Sequence, residues 1–195
     1  MTDREALAPA SSGLRVEMWL PIAIAAAVSV FWFTLYRSLP VYPPSLGVPL
    51  ACVATLFLIA LALLHRMHAG LWPWLAQFGF IISAVGLGVW IVGGTLNTFG
   101  LPITFIAQPQ PGWGLFCVGL MTIGMAAIRS GLSLPMRCLL PLGGLFLLGE
   151  PLKYVLGEQT GGLTVLLAFG VGWLAIGALL LRDGSRQGRR ALPTT

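Results

Sequence analysis

Charge is what this chain has least of: Asp, Glu, Lys and Arg together make up 9% of its 195 residues, where a soluble domain carries about 25%. Hydrophobic residues reach 57%. So few charges cannot cover the apolar surface of a packed water-soluble fold, and that class is excluded. Histidine is nearly absent. His65 and His68 share a helix face, but a metal site takes three or four ligands and the chain holds no third histidine. They read as interfacial polar residues in a tight turn, and no metal is expected. Cysteine is equally sparse. Cys52, Cys117 and Cys138 are far apart, form no C-x-x-C and lie in or beside apolar stretches, so they read as small packing residues. Neither a cofactor fingerprint nor a cluster of catalytic groups appears, and no cofactor is expected.

What the chain does have is long apolar runs. A hydrocarbon core about 30 Å thick takes about 20 apolar residues per helix. Six such stretches occur, at 18–36, 46–64, 71–93, 112–128, 134–156 and 162–181. The run from Leu56 to Leu64 does not alternate apolar with polar, which excludes a spanning β-strand. The expectation is an all-α membrane protein: six transmembrane helices in a compact bundle over 18–181, a cytoplasmic segment at 1–17 and a basic cytoplasmic tail at 182–195. The first stretch reads as a retained signal anchor, because it is longer than a cleavable h-region and Arg37-Ser38-Leu39-Pro40 offers no small-residue cleavage pattern.

Orientation follows from the cations, since cytoplasmic flanks retain Lys and Arg. One alternating set of segments holds Arg4, Arg15, Arg66, Arg129, Arg137, Arg182, Arg186, Arg189 and Arg190; the other holds only Arg37 and Lys153. Both termini are therefore expected in the cytoplasm. Trp19, Trp72 and Trp74 fall at inner boundaries, and Tyr36, Tyr42, Trp90, Trp113 and Tyr154 at outer ones, as an aromatic belt would. Trp32 and Trp173 do not fit that belt. The basic tail reads as a surface for anionic lipid. With no aromatic residue interleaved among Arg186, Arg189 and Arg190, nucleic acid is not an expected partner.

Close helix packing in lipid needs small residues. Ala84 with Gly88, and Ala168 with Gly172, have the small-x-x-x-small spacing of a packing seam. Most in-span hydroxyls, at Ser29, Thr34, Thr55, Ser83, Thr122 and Thr164, can bond to their own backbone carbonyls. Gln77 is larger, and its amide is expected to find a partner inside the bundle.

Glu150 and Lys153 form the sharpest chemical feature, three residues apart in Gly149-Glu150-Pro151-Leu152-Lys153. An acid within a span marks an ion path or a buried partner. Pro151 disfavours helical geometry at Glu150, and the preferred reading ends the helix after Gly149 and leaves both groups interfacial. The longest loop, at 94–111, carries no charge. Its Phe99, Ile103, Phe105 and Ile106 are expected to lie against the bundle or at headgroup depth, as a lid or docking surface. A shift of 92 residues superposes Arg37-Ser38 on Arg129-Ser130 and three spans on three. An inverted repeat of that kind occurs in transporters, though apolar composition alone yields most of the remaining matches.

The run Ala127-Ile128-Arg129-Ser130-Gly131-Leu132-Ser133-Leu134-Pro135, then Leu142-Gly143-Gly144-Leu145-Phe146-Leu147-Leu148, then Gly172-Trp173-Leu174-Ala175-Ile176-Gly177 through Arg182, resembles the C-terminal halves of uncharacterised small multi-pass membrane proteins of bacteria. The resemblance implies a bacterial cytoplasmic (inner) membrane and no activity. The functional expectation is a non-enzymatic accessory or regulatory membrane subunit. Its partners would be the bilayer and a second membrane protein or a second copy. A small-solute or lipid transporter using a polar site near Glu150 is the alternative, and an intramembrane enzyme the third.

Overall fold

The computed structural model describes residues 47–68, 70–99 and 109–190. The expected span at 18–36 lies outside them, as do Ile103, Phe105 and Ile106 of the long loop. Every regular element among the described residues is a helix. These are α1 at Gly47–Met67, α2 at Trp74–Thr98, α3 at Pro109–Arg129, the single turn α4 at Leu134–Arg137, α5 at Leu139–Leu156 and α6 at Glu158–Arg190. Two helical segments among them are long and apolar enough to cross a membrane, Trp74–Leu96 and Pro111–Arg129; Ala51–Arg66, Leu134–Gly149 and Leu167–Leu180 are apolar but shorter.

The long helices run antiparallel in sequence. Gly47 sits against Gly94 and Thr98, Gly79 against Gly119 and Ile123, Gly124 against Leu140, and Gly161 against Leu152 and Lys153. One end of the bundle therefore gathers the α1–α2 turn with His68, the α3–α5 connection and the C-terminal part of α6. The opposite end holds the start of α1, the end of α2, the start of α3 and the α5–α6 turn at Gly157. At the His68 end, α3 closes with the Leu132 amide on the Ala127 carbonyl at 2.9 Å and Gly131 at φ 66°. This is a helix stop that needs the left-handed backbone glycine adopts without strain.

α2 and α3 share the most extensive interface, and α3 also packs on α5. α1 reaches α6 through rings. Phe57 lies 5.6 Å from Phe116, 5.9 Å from Phe169 and 5.4 Å from Trp173, centroid to centroid, and Trp113 closes on Phe169 at 4.6 Å. Phe57, Phe116, Phe169 and Trp173 are all buried. Aromatic side chains thus fill the middle of the bundle, each burying about 150–250 Å².

Several boundaries differ from the sequence expectation. The segments at 94–98 and 109–111, read as loop, are helical and extend α2 and α3. The helix does not end at Gly149. α5 continues through Pro151 to Leu156, because a proline forfeits one ladder bond and neighbouring helices can hold such a turn in place. α6 runs on to Arg190, past the expected end of its span at 181, since Arg and Gln propagate a helix already nucleated.

The packing seams also differ. Among the described residues nothing approaches Gly88, whereas Gly79, Ser83 and Gly86 form the α2 side of the α2–α3 seam. Ala84 and Gly88 point the other way round the helix, which the spacing alone does not reveal. Gly172 does lie in a seam, against Leu142. Trp90 and Trp72 are buried in the core and do not form a belt, while Trp74 and Tyr154 are exposed. Trp173, which fits no belt, is fully buried at the bundle centre.

Candidate functional site

The polar groups that the fold brings together lie at the His68 end. α1 finishes with His65 and Arg66 in its last turn. The His65 ring is sandwiched against Trp72 at 4.7 Å and Phe80 at 4.5 Å. That packing fixes the α1–α2 turn and carries His68 toward the α3–α4 turn. The His68 Nδ1 lies 3.0 Å from the Leu64 carbonyl oxygen, so Nδ1 carries the proton and donates, and in the neutral ring Nε2 is left as an acceptor. The Ser133 Oγ stands 3.5 Å from that Nε2, a long and weak contact. Ser133 precedes α4, yet its hydroxyl makes no capping bond to it.

Arg137 completes the junction. Its Nε donates to the Leu132 carbonyl at 2.7 Å, which pins the guanidinium against the turn and leaves both terminal nitrogens for another partner. Arg66, Arg129 and Arg137 are all exposed. Large apolar side chains surround the junction with their surfaces open: Leu71, Trp74, Ile128 and Leu134. The two turns are 65 residues apart in sequence. Ser133 had no signal of its own, because a serine beside a proline-started turn reads as a cap.

The residues singled out from sequence are divided between the two ends of the bundle. Gln77, for which an interior partner is expected from sequence, is exposed on the first turn of α2, at the His68 end. Lys153 is half-buried near the end of α5, at the Gly157 end, where Gly161 of α6 approaches its backbone. Glu150 is helical in backbone, six residues before the end of α5, about 9 Å at 1.5 Å per residue. Its side chain lies outside the described set. Phe99, just past α2, is exposed. Among the described residues no group of three or more His, Cys, Asp or Glu could hold a metal.

The hydroxyls divide into two kinds. Thr55, Thr122 and Thr164 donate to carbonyls four residues back at 2.8, 2.9 and 2.8 Å, as expected. Ser83 instead donates across the seam to the Phe116 carbonyl at 3.1 Å, fully buried.

No protein-family model, curated protein or solved structure matches this chain, so the resemblance of its C-terminal part carries no family assignment.

Proposed function

We propose that the chain is a multi-pass integral membrane protein of a bacterial cytoplasmic membrane, with six spans and both termini cytoplasmic. It serves there as a non-enzymatic accessory or regulatory subunit. The observation that carries this reading is the distribution of cations along the bundle axis. Arg66, Arg129 and Arg137 lie at the His68 end, and α6 carries Arg182 to the same end, while Lys153 lies at the other. Positive charge is retained on the cytoplasmic side, which supports the reading of the His68 end as the inner one.

The outer surface supports a lipid environment. Most of the apolar stretch within Trp74–Leu96 is left uncovered by the rest of the protein, and Trp74, Phe78, Ile81, Val85 and Val92 are exposed along one face of α2. In water that face would cost about 25 cal/mol per Å²; against lipid tails it costs nothing comparable. The interior favours a subunit over a carrier, because rings occupy the middle and Gln77 and Lys153 stand at opposite ends. The partners would be the bilayer and a second membrane protein or copy, without nucleic acid. One observation favours the transporter reading: α5 continues past Pro151, which keeps Glu150 inside a helix.

Single cysteines at Ser130→Cys and Phe99→Cys, in a chain stripped of its native cysteines, test the orientation with an impermeant maleimide. Ser130→Cys should react only in inverted vesicles and Phe99→Cys only in intact cells. The reverse pattern, or recovery of the chain without detergent, overturns the reading. Extraction in mild detergent should yield a particle holding a second membrane protein or copy. Solute uptake by the chain alone in vesicles would overturn the subunit role.

A further inference from the structure

We propose that the junction of the α1–α2 and α3–α4 turns binds the phosphate of an anionic lipid headgroup through Arg137, Ser133 and His68, with Arg129 at the end of α3 adding positive charge. The inference rests on the reading that the His68 end faces the cytoplasmic leaflet.

Each group is placed for that ligand. The Arg137 guanidinium is held by its Nε bond to the Leu132 carbonyl, so its two terminal nitrogens form a fixed pair of donors, the geometry that engages two phosphate oxygens at once. The Ser133 hydroxyl has no capping bond, and at 3.5 Å its contact with His68 is too long to hold it. It can turn to a phosphate oxygen at little loss. His68 keeps its Nδ1 bond to Leu64 in either protonation state, and as an imidazolium it donates from Nε2 as well. Arg137 and Ser133 thus supply three donors, with a fourth from His68 only in its charged form; Ser133 stands 3.5 Å from His68, Arg137 bonds to the carbonyl of the residue just before Ser133, and Arg129 closes the preceding helix.

The surroundings distinguish a lipid from a free anion. Leu71, Trp74, Ile128 and Leu134 are exposed around the polar junction, an apolar rim that suits a ligand with acyl chains and offers nothing to inorganic phosphate. Basic pockets between helices on the cytoplasmic side hold anionic headgroups by this combination of charge and apolar contact.

The full chain, purified in a non-ionic detergent, is melted with phosphatidylglycerol, with phosphatidylcholine or with inorganic phosphate, and bound lipid is counted by native mass spectrometry. Phosphatidylglycerol should raise the melting midpoint and remain bound, and the other two should do neither. Arg137→Gln and the double variant Ser133→Ala with His68→Ala should each lose about tenfold or more in apparent phosphatidylglycerol affinity, while Lys153→Gln at the far end keeps it. Arg137→Lys retains the charge without the fork and should fall between, which guards against a folding defect in Arg137→Gln. Equal response to both lipids, or full affinity in Arg137→Gln, overturns the site. An Arg137-dependent response to inorganic phosphate alone overturns the lipid as its source. A chain that needs detergent yet ignores phosphatidylglycerol refutes the site and leaves the membrane reading standing; a chain soluble without detergent refutes that reading itself.

Discussion

Gly86 on α2 and Gly112 on α3 touch backbone to backbone. A Cβ built on Gly86 would lie 2.6 Å from the Gly112 carbonyl oxygen, and one built on Gly112 would lie 2.6 Å from the Gly86 oxygen. The arrangement repeats toward the other end, where a Cβ on Gly79 would lie 2.8 Å from the Gly119 oxygen and one on Gly119 would lie 2.5 Å from the Gly79 oxygen. On the proposed membrane reading, lipid tails give helices no hydrophobic reason to associate, so this interface depends on the dispersion contacts and hydrogen bonds that such close approach allows.

Gly86→Ala and Gly119→Ala should each destabilise the bundle by about 1–3 kcal/mol, the range for forcing extra atoms into a packed interface. Gly88→Ala faces open space among the described residues and should be neutral or stabilising, because alanine favours a helix over glycine by about 0.8–1 kcal/mol. Thermal melting of the three variants in one detergent checks the contrast. Equal loss at Gly88 would mean that the other face of α2 is also packed.

Ser83→Ala removes a buried side-chain bond that crosses the α2–α3 seam, to the Phe116 carbonyl. A loss of about 0.5–1.5 kcal/mol is expected. Thr122→Ala removes a bond within α3 alone and should change stability less. The same melting assay ranks the pair, and a larger loss at Thr122 would contradict the assignment.

Phe57 is the only described residue of α1 in ring contact with Phe116, Phe169 and Trp173. Phe57→Ala should therefore cost about 3–5 kcal/mol, the usual penalty for emptying an aromatic core site. Limited proteolysis at the α1–α2 turn should accelerate as α1 loosens. Unchanged cleavage with a lowered melting midpoint would mean that α1 is held chiefly by α2.

Glu150→Gln is expected to change stability by about 0–1 kcal/mol if the carboxylate keeps its water. A loss of about 3–5 kcal/mol in Glu150→Gln or Lys153→Met, recovered in the double variant, is the signature of a buried pair. That outcome would move the balance to the transporter reading.

Sequence by itself determined the helical class, the apolar stretches that became α1 to α6 and the alternation of cations between their ends. Each follows from local quantities: run length, the absence of period-two alternation and charge counts per connection. The self-bonded hydroxyls of Thr55, Thr122 and Thr164 were legible for the same reason, since the acceptor lies four residues back on the same helix. Only the tertiary structure decided which face of each helix is inside. It chose Gly79, Ser83 and Gly86 over Ala84 and Gly88 for the seam, put Trp173 at the centre, turned Gln77 outward and set Ser133 beside His68 across 65 residues. In a chain this uniformly apolar the hydrophobic period carries almost no facing information. The choice falls to shape, to where two backbones can approach and four rings can share one space, and that is a property of helix pairs and not of any one helix.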